Sequence, residues 1–146
     1  MEKIVTLRTS TLGFVSWLVP FVASFLFFDT SGQLSIPQPL FKSLMVVIFG
    51  ALGCALFVLA FRRLRASPAT GLALGCYWLA INLGLDLVIL VPFTKMPVVA
   101  YFYDIGLRYL LIPIFGTAIG IAARDAASRS FPPESEIDAV RNRAKT

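Results

Sequence analysis

Asn82 and Asp86, in "AINLGLDLVIL", and Asp104 and Arg108, in "YFYDIGLRYLLIP", are strongly polar side chains set in otherwise apolar sequence. A carboxylate and a guanidinium in such surroundings can do one of two things. They can pair and fix how two helices meet, or the carboxylate can take up a proton or cation while the guanidinium tunes its affinity. The spacing favours a meeting. Asp86 lies eleven residues before Pro97 and Arg108 eleven after it, so a hairpin turning at "PFTKMP" brings both to one depth, and an Asp86–Arg108 ion pair is expected. Asp104, one helical turn from Arg108, would hold the guanidinium from the other side, and Asn82 stands one turn from Asp86. Gly75, Trp78, Asn82, Asp86 and Ile89 then share one inward face, opposite a face made by Tyr101, Asp104, Arg108, Ile112 and Phe115.

Other chemistry has little to run on. The chain has no histidine, which removes His-ligated haem, histidine-bearing zinc sites and Ser-His catalysis. An aspartyl mechanism needs two carboxylates sharing a proton, whereas Asp86 and Asp104 fall on different helices with Arg108 between them. No glycine loop suited to phosphate appears in a soluble setting. Cys54 and Cys76 form no Cys-x-x-Cys motif and read as small packing groups. The expectation is a protein that is not an enzyme and carries no cofactor and no metal.

The elements that must position these residues are membrane spans. Of 146 residues, 58% are apolar and 14% charged, against roughly 45–50% and 25% in soluble domains. Four runs, 11–28, 41–61, 71–93 and 98–123, are long enough to cross about 30 Å of hydrocarbon. A secretory signal is a second reading of the first run, but the run exceeds the usual core of about 7–15 residues and 25–28 is a poor cleavage site. The net charge of +5 does not imply nucleic acid, because the basic residues collect at the ends of apolar runs. Ten Lys and Arg flank the runs on the side of the termini, two (Lys42 and Lys95) lie on the other, and Arg108 falls inside a run. Both termini are therefore expected in the cytoplasm. The resulting fold class is an all-α, polytopic four-helix membrane bundle over residues 1–123. A basic cytoplasmic tail occupies 124–146, with a short helix over 135–144.

Small residues mark expected helix contacts: Gly116 and Gly120 in the fourth run, Gly50 and Gly53 in the second, Gly13 and Ser16 in the first. They serve packing within the chain or between protomers. Pro20 and Pro113 are expected to kink their helices. Tyr101, Phe102 and Tyr103 fit the headgroup region, while Trp17 and Trp78 lie too deep for it and are expected to pack.

The phrases "GFVSWLVPFVASF", "LFKSLM", "YWLAINLGLDLVIL" and "KMPVVAYFYDIGLRYLLIP" resemble an uncharacterised family of small four-span membrane proteins from archaea and bacteria. The resemblance covers Gly13 to about Ile119. It implies a four-helix membrane bundle and supplies no activity. It also implies that the position of Arg108 is generally uncharged while those of Asp86 and Asp104 are acidic, which would make the Asp86–Arg108 pair a local variation. The expected function is that of a non-enzymatic accessory or interaction protein of a prokaryotic cytoplasmic membrane, its partners the lipid bilayer and a homo-oligomer or larger membrane complex. The alternative is a homo-oligomeric ion or proton channel or transporter built on Asn82, Asp86 and Arg108.

Overall fold

In the computed structural model of the chain the described residues are 4–129, so the short helix expected over 135–144 lies outside them. Helix α1 (Leu7–Ser24) starts at a reciprocal cap: Thr6 Oγ1 accepts from the Thr9 amide, and Thr9 Oγ1 accepts from the Thr6 amide at 2.9 Å. It runs on through a 3₁₀ turn, Phe25–Phe27. Helix α2 (Gln38–Phe61) begins with Pro39 in its first turn, where a missing N–H breaks no hydrogen bond. Helix α3 (Pro68–Leu85) is capped by Ser67, whose hydroxyl accepts from the Thr70 amide at 3.0 Å. It continues without interruption into a π turn, Asp86–Leu90, and a short α4 (Val91–Thr94). Lys95, left-handed at φ 53°, ends that run.

The return leg is broken. Helix α5 (Val98–Asp104) stops at Ile105, where φ −127° and ψ −52° leave helical geometry. A 3₁₀ segment, Gly106–Leu110, follows, and then α6 (Leu111–Arg129). The expectation of one continuous helix over 98–123 is corrected here, as is the start of the tail, because 124–129 prolong α6. Pro113 does not kink a helix from within; it sits in the first turn of α6, where its ring is tolerated. The four long helical runs, Leu7–Phe27, Gln38–Phe61, Pro68–Thr94 and Gly106–Arg129, are each long and apolar enough to cross a membrane.

Among the described residues the contact between α3 and α6 is the most extensive, and α1 packs against α3 and α2. The α3–α6 contact is close because both helices carry glycines four residues apart. A Cβ on Gly116 would stand 2.5 Å from the Gly71 carbonyl oxygen, one on Gly75 2.5 Å from Pro113 Cα, and one on Gly120 2.5 Å from the Ser67 carbonyl oxygen. Gly116 and Gly120 thus serve a contact within the chain. Gly50 and Gly53 do not: a Cβ on Gly50 would meet only Phe115, at 3.7 Å, and one on Gly53 nothing within 4 Å. That expectation fails within the chain because α2 meets its neighbours through Leu56, Phe57 and Ala60 instead. The core they join also holds Leu74, Trp78 and Ile112.

This asymmetry yields a first prediction. Gly116→Ala forces its methyl group onto backbone, which cannot yield as a side chain can, and is expected to destabilise by about 1–3 kcal/mol. Gly53→Ala is expected to stay within about 0.5 kcal/mol of the wild type. Thermal unfolding of both variants in mild detergent checks this, and equal melting temperatures would remove the close α3–α6 contact.

Candidate functional site

Asp86 opens the π turn, a local widening in which the Val91 amide reaches back to the Asp86 carbonyl. The extra residue rotates the remainder of the run. Ile89, expected inward, is 39% exposed, and Leu90 faces inward instead. Asp86 itself is 1% exposed. Its Oδ1 accepts from the Trp17 indole N–H at 2.6 Å, and its Oδ2 accepts from the hydroxyls of Tyr101 at 2.9 Å and Tyr109 at 2.7 Å. Three donors from three parts of the chain converge on one carboxylate, which meets its hydrogen-bonding needs without a cation.

The expected Asp86–Arg108 ion pair is absent: among the described residues no carboxylate lies within 4.0 Å of the Arg108 guanidinium. The reason is register. Ser67 faces Gly120, Gly71 faces Gly116 and Asp86 meets Tyr101, three pairs centred on one point between Phe93 and Thr94 rather than on Pro97. That register sets Arg108 level with Leu79, about 10 Å from Asp86 along the axis. The 3₁₀ segment also advances each residue by a wider angle, so Tyr109 faces Asp86 and Arg108 is turned aside. Helical side chains lean toward their N-terminus, which lets the Tyr109 hydroxyl reach the acid that lies nearer the hairpin turn.

The other expected polar residues are divided. Asp104 pairs with Lys42 at 3.0 Å, not with Arg108. Asn82 is fully buried and donates from Nδ2 to Ser16 Oγ at 3.0 Å and to the Trp78 carbonyl at 2.9 Å, while its Oδ1 has no partner among the described residues. Tyr101 is fully buried against Asp86, whereas Phe102 and Tyr103, the other two residues of the expected belt, are 43% and 75% exposed. Trp17 and Tyr109 are ligands of Asp86 that the spacing argument does not reach. A partial signal for Trp17 does exist, since an indole N–H deep in an apolar helix needs an acceptor, but by distance from the run starts Trp17 stands level with Trp78 rather than with Asp86.

Beside this cluster lies a half-open cavity of about 530 Å³, bounded by α1, α2, the π turn and the α5–3₁₀ junction. Phe21, Phe41, Met45, Val46, Phe49 and Leu90 give it apolar walls. Asp86, Tyr109, Lys42, Asp104 and Arg108 also border it. Among the described residues there is no group of three or more His, Cys, Asp or Glu side chains able to hold a metal ion. Both cysteines are free, Cys54 half-buried and Cys76 exposed, so Cys76 is not the packing group expected.

Fold and site together define a helical chain with four runs able to cross a membrane and a triply bonded buried aspartate beside an apolar cavity. Comparison with protein-family models, with curated proteins and with solved structures finds no match.

Proposed function

We propose that the chain is a multi-pass membrane protein, a four-helix bundle with both termini cytoplasmic, that works without catalysis as an accessory protein holding an amphiphilic molecule. The observation that carries this reading is the cavity. Its 530 Å³ falls within the roughly 300–1,000 Å³ of small-molecule sites, with apolar walls and a few polar groups at defined places. The cluster of Trp17, Tyr101, Tyr109 and Asp86 supports a preformed pocket, since it ties α1 and both legs of the second hairpin to one point. The orientation is supported by the ten-to-two distribution of basic residues. The resemblance to small four-span prokaryotic proteins is in keeping with it.

The channel reading draws on one observation, that Asp86, Asp104 and Arg108 border the same cavity. What weighs against it is the filling of the termini half of the helices by Phe57, Leu74 and Trp78, all buried.

The second prediction tests the binding reading. Native mass spectrometry of protein released from mild detergent is expected to show a bound amphiphile at near one per chain. In Val46→Trp, which fills the cavity from α2, occupancy is expected to drop at least fivefold. Bare protein in both samples, at matched lipid content, would reject the binding reading. Proton or potassium flux into vesicles carrying the wild type would favour the channel.

A further inference from the structure

We infer that the cavity's occupant carries one apolar chain and an oxyanion head, a carboxylate or a phosphate monoester, and that Arg108 binds that head. The inference rests on the binding reading above and adds the chemistry of the ligand. Of the charged groups bordering the cavity, Lys42 and Asp104 satisfy each other at 3.0 Å. Asp86 already accepts from Trp17, Tyr101 and Tyr109. Arg108 stands apart: among the described residues it has neither a carboxylate within 4.0 Å nor a hydrogen-bond acceptor, although its guanidinium offers five donors and needs acceptors for them.

Its position makes an unanswered charge costly. The neighbouring Tyr109 ring packs on Phe49 at 5.3 Å, and Phe49 is the twelfth residue of the 24-residue α2, so the chain at Arg108 lies level with the middle of α2, although Arg108 is only the third residue of its own run, Gly106–Arg129. A cation at that depth in a membrane has little water to turn to, and an anion is the partner that answers it. The planar fork of a guanidinium matches two oxygens of a carboxylate or phosphate. A neutral amphiphile would leave those donors bare, and a cationic one would add a like charge. The walls at Phe21, Phe41, Met45, Val46 and Leu90 then receive the chain. Arg108 is thus a specificity-determining residue whose partner is supplied from outside the chain.

The third prediction uses three photoactivatable probes with the same diazirine-bearing alkyl chain, ending in a carboxylate, a phosphate monoester or a hydroxyl. Wild-type protein in phosphatidylcholine vesicles is labelled, and the labelled residues are read by peptide mass spectrometry. At least one oxyanion probe is expected to label cavity residues at a tenfold or lower concentration than the alcohol. Whichever oxyanion labels at the lower concentration identifies the head, and failure of 10 mM inorganic phosphate (about a hundredfold excess by design) to compete assigns it to a lipid rather than a free ion. Arg108→Gln, which removes no bond within the chain and relieves an unpaired charge, is expected to melt no lower than the ligand-free wild type and to raise the concentration needed by the oxyanion probes to that of the alcohol. Equal labelling by all three probes, unchanged in Arg108→Gln, would overturn the oxyanion head and leave the binding reading standing. Labelling of no cavity residue above that of the exposed Val47 would overturn both.

Discussion

Asp86→Ala is expected to lower stability by about 3–5 kcal/mol, because it strands two buried donors, Trp17 and Tyr101, and the half-buried Tyr109 at once. In the wild type Trp17, Tyr101 and Tyr109 all donate to the carboxyl group, which offsets part of its burial cost. Removing it leaves an indole N–H and two hydroxyls facing a void with no acceptor. Asp86→Asn is expected to fall between, at about 1–2 kcal/mol. The amide oxygen can still accept from Trp17, and its NH₂ can donate to the tyrosine oxygens, but the two hydroxyl protons lose their acceptor. Unfolding in mixed micelles followed by circular dichroism gives the order wild type, Asn, Ala. The indole resonances provide a second readout, since the chain has only two tryptophans. The Trp17 indole proton, 2.6 Å from its acceptor across the heavy atoms, should move upfield in Asp86→Ala more than that of Trp78, which bonds the Thr9 carbonyl. A stable Asp86→Ala protein with an unmoved Trp17 signal would remove the convergence on which the site is built.

The parts of this arrangement that are legible in the sequence are those that depend on uninterrupted α-helical spacing. Gly75, Trp78, Asn82 and Asp86 do share a buried face, since α3 is regular from Pro68 to Leu85. The pattern fails at Ile89, where the π turn intervenes, and at Arg108, where Ile105 breaks the helix and a 3₁₀ segment follows. Pro92, whose ring disturbs the carbonyl four residues back at Val88, accompanies the π turn, but a proline does not say whether a run kinks, stops or widens. No proline marks the break at Ile105, and hydropathy is blind to a change in residues per turn. The Asp86–Arg108 pairing requires a hairpin centred at Pro97, and the left-handed Lys95 closes the ascending run earlier than that symmetry assumes. Among the glycines, Gly116 and Gly120 stand out as a motif, but nothing in the sequence says that Gly71 and Gly75, with the same spacing, are their counterparts. Nothing in the spacing of Gly50 and Gly53 shows that they make no close backbone contact within the chain. Tyr109 is silent because an aromatic ring in an apolar run fits either a wall or a hydrogen bond, and only the three-dimensional position of Asp86 decides.

Trp78→Ala is the other substitution expected to cost about 3–5 kcal/mol, and a compensating change can test why. In a membrane the lipid chains are as apolar as the core, so burial by itself supplies little. Trp78 contributes through contact: its ring lies 4.5 Å from Phe57, its indole N–H donates to the Thr9 carbonyl at 2.9 Å, and its edge fills the notch at Gly13. A Cβ on Gly13 would stand 2.7 Å from Trp78 Cδ1 and 2.9 Å from Ile81 Cδ1. The small residue and the large one therefore specify each other across the α1–α3 contact. Gly13→Leu alone is expected to destabilise by about 1–3 kcal/mol through overpacking. Placed on Trp78→Ala, the same leucine occupies vacated space, so the double variant should be more stable than Trp78→Ala by about 1 kcal/mol, a reversal of sign that independent sites cannot give. Additive losses in the cycle would mean that Gly13 and Trp78 do not oppose each other, and α1 would then have to meet α3 on another face, taking Trp17 away from Asp86.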